Sequence, residues 1–338
     1  MARYLGQALI DALVAAVVVE LLIRAWREAA PGARIRLRRL VLALALLAVP
    51  LLDRLLPQRR EEWFEERVAL LTTRHWAELT VGGVGLPLLF LGALSAGGLA
   101  LFLADLIPFL RQLRSGEGAA SRSMVASLTG AAAADSGQAA SPDGARVQRE
   151  LARLCSQSGR AAPRLTLSDE RAPILLCRGV RAPEILVSRG ALALLDDAEL
   201  RGALAHELAH LDRRDPAWSW VLLGVRALQA FNPVVQVVVR ALAQDAERQA
   251  DDLAALATGD RLALASAIVK LSRGSAAGSG ELLWGQLLAR ARARSRVASI
   301  EGRCRRLLGP VCPEPAPHAG LRLAAAGLSL LGLLMFVV

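Results

Sequence analysis

Long apolar runs separated by short charged stretches dominate both ends of this chain. Four of them approach the roughly 20 apolar residues a helix needs to cross a bilayer. They are 5–23, 40–56 (with Pro50 inside), 86–110 (with Gly97 and Gly98 inside) and 321–338. A fifth apolar run occupies 218–239. Between the third and fourth runs the pattern changes. Residues 115–145 are rich in Ser, Ala and Gly and show no periodicity, as expected of a linker. Residues 146–160 place Val147, Leu151 and Leu154 on one helical face. Three short apolar runs follow at 165–167, 174–177 and 184–187, with Pro173 and Pro183 ahead of the last two. They predict a small antiparallel sheet with Gly179 in a turn.

Composition agrees with membrane spans: 54% of residues are hydrophobic and the mean hydropathy is +0.38. The net charge is +10, and Lys270 is the only lysine. With one Tyr and six Phe, and Arg scattered among apolar runs, the chain does not read as a nucleic-acid platform. Arginine placement instead orients the spans. Arg24, Arg27, Arg34, Arg36, Arg38 and Arg39 lie between the first two, and Arg111, Arg114 and Arg122 follow the third. Arg303, Arg305 and Arg306 precede the fourth. Glu61, Glu62, Glu65, Glu66 and Glu78 fill the loop between the second and third. Both termini are therefore expected outside and 111–319 inside. Asp11 and Glu20, in or near the first span, read as bundle-facing or interfacial acids. No cleavable signal peptide is evident. Cys155, Cys177, Cys304 and Cys312 form no C-x-x-C pair. The first two read as small buried residues.

The expected organisation is a three-span membrane domain (1–110), a flexible linker (111–145), a cytoplasmic domain (146–310) and a fourth span (320–338). Inside the third part lies the sequence His206-Glu207-Leu208-Ala209-His210. Asp196 and Glu199 predict a capping box that starts this helix, and Pro216 is expected to end it. Two His at i and i+4 share a face and reach one ion. Leu200, Leu204, Leu208 and Leu211 gather on the opposite side. Glu207 projects beside the His stripe, where it can act on water. A catalytic zinc takes three protein ligands and leaves a position for water. The best third ligand is Glu247, with Asp245, Asp251 and His318 next in line. Asp251, one turn beyond Glu247, is placed to accept a hydrogen bond from a ligand His and fix its tautomer; Asp252 is its rival.

Geometry decides how 218–239 is read. As a full span it would separate His210 from Glu247 by a hydrocarbon core about 30 Å thick, yet ligand bonds are about 2 Å long. Arg226 interrupts the run and Asn232-Pro233 breaks it. The expectation is a helical hairpin that dips into or packs beneath the inner leaflet. It runs about 14 residues out and about 13 back, each arm roughly 20 Å long.

Residues 146–272 resemble the cytoplasmic domain of the beta-lactam sensor-transducer metallopeptidases, the antirepressor type. The likeness rests on HELAHLDRRDP, on Phe231-Asn232-Pro233 and on ERQADDLAALATGD. It also rests on a protease placed between a third and a fourth span. The runner-up resemblance is to the HtpX and CAAX-type membrane peptidases, which share H-E-x-x-H and E-x-x-x-D. The resemblance implies a mostly α, integral membrane protein of the bacterial cytoplasmic membrane. It implies four transmembrane helices and a gluzincin-like α+β peptidase domain facing the cytoplasm. It assigns one zinc ion to His206, His210 and Glu247, and acid/base catalysis to Glu207. Unlike the sensor members, the sequence holds no penicillin-binding domain after the fourth span, so antibiotic sensing by that route is not expected.

The implied reaction is peptide hydrolysis, of a cytosolic repressor or of membrane-proximal proteins. A partner membrane protein would deliver the signal, lipids would surround the spans, and no nucleic acid is expected. Tyr4 is the only Tyr, so an Arg is the expected oxyanion or substrate contact: Arg248, Arg213 or Arg214. An extended substrate could add to the edge of the small sheet. The alternative is an HtpX-like protease of membrane-protein quality control; a third reading is a non-enzymatic transducer with structural zinc, but such a site needs four ligands and has no use for a free Glu207.

Overall fold

The computed structural model describes residues 2–70, 80–81, 84–115, 142–274, 293–309 and 319–337. Residues 116–141 of the expected linker, together with His75, His318 and Cys312, lie outside the described residues. The chain is mostly helical and divides into two compact units. The first contains Met1–Leu103, Leu222–Ala246 and Pro313–Val338; the second contains Ala104–Val221 and Glu247–Cys312.

In the first unit, α1 (Ala2–Ala25) packs on α2 (Pro31–Leu55) through small and branched residues. Ala8, Ala12, Ala15 and Val19 of α1 and Val41, Ala45, Ala48 and Val49 of α2 are all buried. The outer faces are also apolar: Leu13, Val17 and Leu21 on α1, and Leu47, Leu51 and Leu55 on α2, are exposed at helical spacing. A 3₁₀ turn (Pro57–Arg60), α3 (Glu62–Arg67) and the paired two-residue strands β1 (Thr80–Val81) and β2 (Val84–Gly85) lead into α4 (Leu86–Ser115). The last helix, α12 (Ala319–Met335), is capped by buried Arg59, which donates to the carbonyls of Leu334, Met335 and Val337. A cation at a helix C-terminus satisfies carbonyls the helix leaves orphaned.

Of the four expected spans, among the described residues only Leu89–Ile107 of α4 has the length and hydropathy to cross a membrane. The α12 helix is apolar but shorter. The second run belongs to a helix that starts at Pro31 and carries four Arg in its first half, and α1 carries Asp11 and Glu20.

The fifth apolar run turns back on itself, as geometry required. Helix α8 (Asp215–Leu228) ends before Gln229-Ala230-Phe231-Asn232, and α9 (Pro233–Thr258) begins at the proline. Asn232 Oδ1 accepts from the amides of Val234 and Val235, an N-cap with Pro at the first helical position. Arg226 is 2% exposed and donates to Gln236 Oε1 at 2.8 Å, while Gln236 returns bonds to the carbonyls of Arg226 and Gln229. The turn lies against α4. A Cβ at Gly98 would stand 2.6 Å from the Phe231 carbonyl, so only glycine fits there.

In the second unit, α5 (Pro142–Ser158) precedes three strands: β3 (Arg164–Ser168), β4 (Leu175–Arg178) and β5 (Glu184–Ser188). The expected antiparallel sheet is in fact mixed. The order is β3-β5-β4, with β3 parallel to β5 and β4 antiparallel to it. Gly179 does turn the chain between β4 and β5, at φ +86°. The parallel pairing arises because residues 169–174 cross the sheet end and are fastened there. Ser188 Oγ donates to the Ala172 carbonyl and accepts from the Ile174 amide. Strand β5, whose Ile185, Leu186 and Val187 are all buried, takes the centre, and β4 is left as an edge. Then follow α6 (Arg189–Leu194), α7 (Asp197–Asp212), α10 (Arg261–Gly274) and α11 (Ala293–Leu307), around one core with the sheet.

Candidate metal centre

The site is built on α7, in the second unit. Its start is the expected capping box: Asp196 accepts from the Glu199 amide at 2.8 Å and Glu199 accepts from the Asp196 amide at 2.9 Å. Lys270 and Ser266 of α10 also bind the Glu199 carboxylate, both at 2.6 Å. Leu200, Leu204, Leu208 and Leu211 enter the core, as the periodicity predicts. The helix stops at Asp212, four residues before Pro216, because Arg214 takes a left-handed conformation (φ 56°). Pro216 instead lies in the first turn of α8.

His206, His210 and Glu247 offer ligand atoms that all lie within 4.8 Å of one another. The two Nε2 atoms are 3.1 Å apart. Glu247 Oε2 is 3.5 Å from His206 Nε2, and Oε1 is 3.6 Å from His210 Nε2. In a tetrahedral site with bonds of about 2.0–2.1 Å, ligand atoms stand about 3.3 Å apart. The Nε2–Nε2 separation fits that spacing, and each Nε2 has a different oxygen of Glu247 nearby, at 3.5 and 3.6 Å.

The tautomers point the same way. His210 Nδ1 lies 2.8 Å from Asp215 Oδ2, and His206 Nδ1 lies 3.0 Å from Asp251 Oδ1. When each Nδ1–H faces a carboxylate, both Nε2 lone pairs face one point. Two lone pairs and a carboxylate converging in a buried place call for a cation. In the protein alone, burial opposes charge on His206, but the bonds to Asp251 and Glu247 outweigh it and raise its pKa to about 9. Burial likewise opposes ionisation of Glu247, yet Arg303, His210 and His206 hold it well below the usual carboxylate range. Asp251 is lowered against burial by Arg303 and His206.

Glu207 lines the same cavity, and its Oε2 accepts the backbone N–H of Cys177 at 2.8 Å. Cys177 itself is held as a neutral thiol by burial and by Glu207, which argues against a ligand role. The cavity measures about 120 Å³, and Leu175, Ala203, Leu264, Ile268 and Ile300 make much of its wall apolar.

The three arginines singled out from sequence lie elsewhere. Arg213 Nη2 is 3.1 Å from Asp215, Arg214 is exposed, and Arg248 is half-buried. Among the described residues none of them lines the cavity; Arg303 does. Asp252, the rival to Asp251, pairs with Arg306 at 2.7 Å. Sequence reasoning missed Asp215, Arg303 and the Cys177 amide. Asp215 stands five residues after His210 and was legible from that spacing, whereas Arg303 follows Glu247 by more than fifty residues with no motif between.

A family model for the BlaR1 peptidase M56 matches residues 149–300. Similar curated proteins include the "Protease HtpX homolog" of Ralstonia nicotianae, 33% identical over 158 residues, covering 37% of this chain and 55% of the relative. The protein of the same name from Kineococcus radiotolerans is 31% identical over 175 residues, covering 41% and 58%. That of Burkholderia mallei is 32% identical over 169 residues, covering 40% and 58%. The chain thus spans little more than half the length of these relatives, 55% to 58%. No solved structure matches the chain. The chain is thus similar to the BlaR1 M56 peptidase over residues 149–300 and, over part of its length, to proteases named as HtpX homologues.

Proposed function

We propose that this protein is a membrane-embedded zinc endopeptidase of regulated proteolysis, with its active site on the cytoplasmic side. The observation that carries the reading is the convergence of His206 Nε2, His210 Nε2 and Glu247 beside Glu207 on one cavity wall. Those three residues would hold the ion. When bound, zinc polarises a scissile carbonyl and brings the pKa of water towards about 7. Glu207, fixed through Oε2 by the Cys177 amide, takes the water's proton at Oε1 and delivers it to the leaving amine. Strand β4 is an edge strand, and its Leu175 lines the cavity, which supports an extended peptide adding there as a further strand. The apolar outer faces of α1, α2 and α4 support burial of the first unit in lipid, with α12 as a fourth span and the hairpin near the inner leaflet.

The likeness to the BlaR1 peptidase supports cleavage of a cytosolic repressor on a signal from a partner membrane protein. The likeness to HtpX homologues supports, equally, removal of membrane proteins in quality control. The test common to both is Glu207→Gln. Purified in detergent or liposomes, the variant keeps its zinc and loses cleavage of an unfolded protein substrate. Cleavage at the wild-type rate would overturn the mechanism.

A further inference from the structure

Among the described residues, the cavity wall holds one arginine, which the reaction above does not use. Arg303, on α11, aims its guanidinium at two carboxylates of α9. Nε lies 2.7 Å from Asp251 Oδ2 and Nη2 lies 2.6 Å from Asp251 Oδ1, a two-pronged pairing. Nη1 lies 3.1 Å from Glu247 Oε2. The side chain is 15% exposed, and Asp251 is 1% exposed. Asp251 Oδ1 therefore serves two partners, Arg303 Nη2 and His206 Nδ1.

We propose that Arg303 is the positioning residue of the metal centre, holding Glu247 as a ligand and Asp251 as the anchor of His206. Two carboxylates one helical turn apart repel each other. A single guanidinium facing both offsets the repulsion and fixes their rotamers together. Lysine would not do this, because an ammonium is a point charge without the planar fork that engages three oxygens at once. Through Arg303, α11 reaches both the Glu247 ligand and the His206 partner. One turn further along α11, Arg306 makes the same kind of pair with Asp252, at 2.7 and 3.2 Å, and it does not line the cavity. It is a built-in control for the loss of a helix-to-helix ion pair alone.

The proposal rests on the metal-site reading, so the experiment separates the two. Zinc and cobalt(II) affinities are measured by chelator competition, and the visible spectrum of the cobalt-loaded protein is recorded, for wild type, Arg303→Gln, Arg303→Lys and Arg306→Gln. Arg303→Gln is expected to lose on the order of 10–100-fold in affinity and to change the cobalt spectrum, as loss of a ligand's support does. Arg303→Lys recovers only part of the affinity, and Arg306→Gln keeps the wild-type affinity and spectrum. Should Arg303→Gln fail to fold, Arg303→Lys carries the test, because it keeps charge and bulk while losing the fork. Wild-type affinity and spectrum in the Arg303 variants would overturn the proposal and leave the metal site standing. A wild type that binds no metal would overturn both.

Discussion

Asp215 Oδ2 lies 2.8 Å from His210 Nδ1, and Asp215 is 3% exposed. Asp251 Oδ1 lies 3.0 Å from His206 Nδ1, so a carboxylate stands behind each imidazole, and of the two contacts the one from Asp215 has hydrogen-bond geometry. Arg213, 3.1 Å from Asp215 Oδ2, steadies that contact. Asp215→Ala is therefore expected to weaken zinc binding on the order of 10–100-fold, and Asp215→Asn by less, because the amide oxygen still accepts from Nδ1–H. Chelator competition on the purified variants measures both. Equal losses, or none, would show that Asp215 does not orient the ring.

Glu247 and Asp251 share a helix face, and the proposed reading gives them different roles. With Glu247 as a ligand, Glu247→Ala is expected to lose most of the zinc. Asp251→Ala leaves all three ligands and is expected to lose on the order of 10–100-fold in affinity. Metal content after gel filtration ranks the two. Full zinc retention in Glu247→Ala would move the third ligand elsewhere.

The hairpin makes a topological prediction. Arg214 and Gln244, near the two ends of the apolar stretch, are both exposed. Each is replaced by Cys in a background with the native cysteines removed, and an impermeant thiol reagent is applied from either side of the membrane. Both positions are expected to label from the cytoplasmic face. Labelling from opposite faces would contradict the hairpin and the shared metal site together.

Most of the centre was legible in the sequence because local spacing dictates it. Two His at i and i+4, the Asp196–Glu199 cap and the Glu247–Asp251 pair each follow from the helical period. Asn232-Pro233 announced the hairpin because proline cannot continue a helix built on the residues before it. What was not legible depends on partners distant in the chain. The parallel pairing of β3 with β5 follows from Ser188 binding the 169–174 link, and no alternation of apolar residues encodes that. Arg303 and Arg306 read as positive charge beside a span, whereas both pair with acids of α9. Their charge was visible in the sequence and their partners were not.

The central claim is a three-ligand zinc centre of nitrogen and oxygen donors, with room left for water. Zinc-edge X-ray absorption on the purified protein reads that ligand set directly. The account predicts two imidazole nitrogens and a first shell of only nitrogen and oxygen at about 2.0–2.2 Å, unchanged in Glu207→Gln. A sulfur shell at about 2.3 Å, or a shell without two imidazoles, would contradict it.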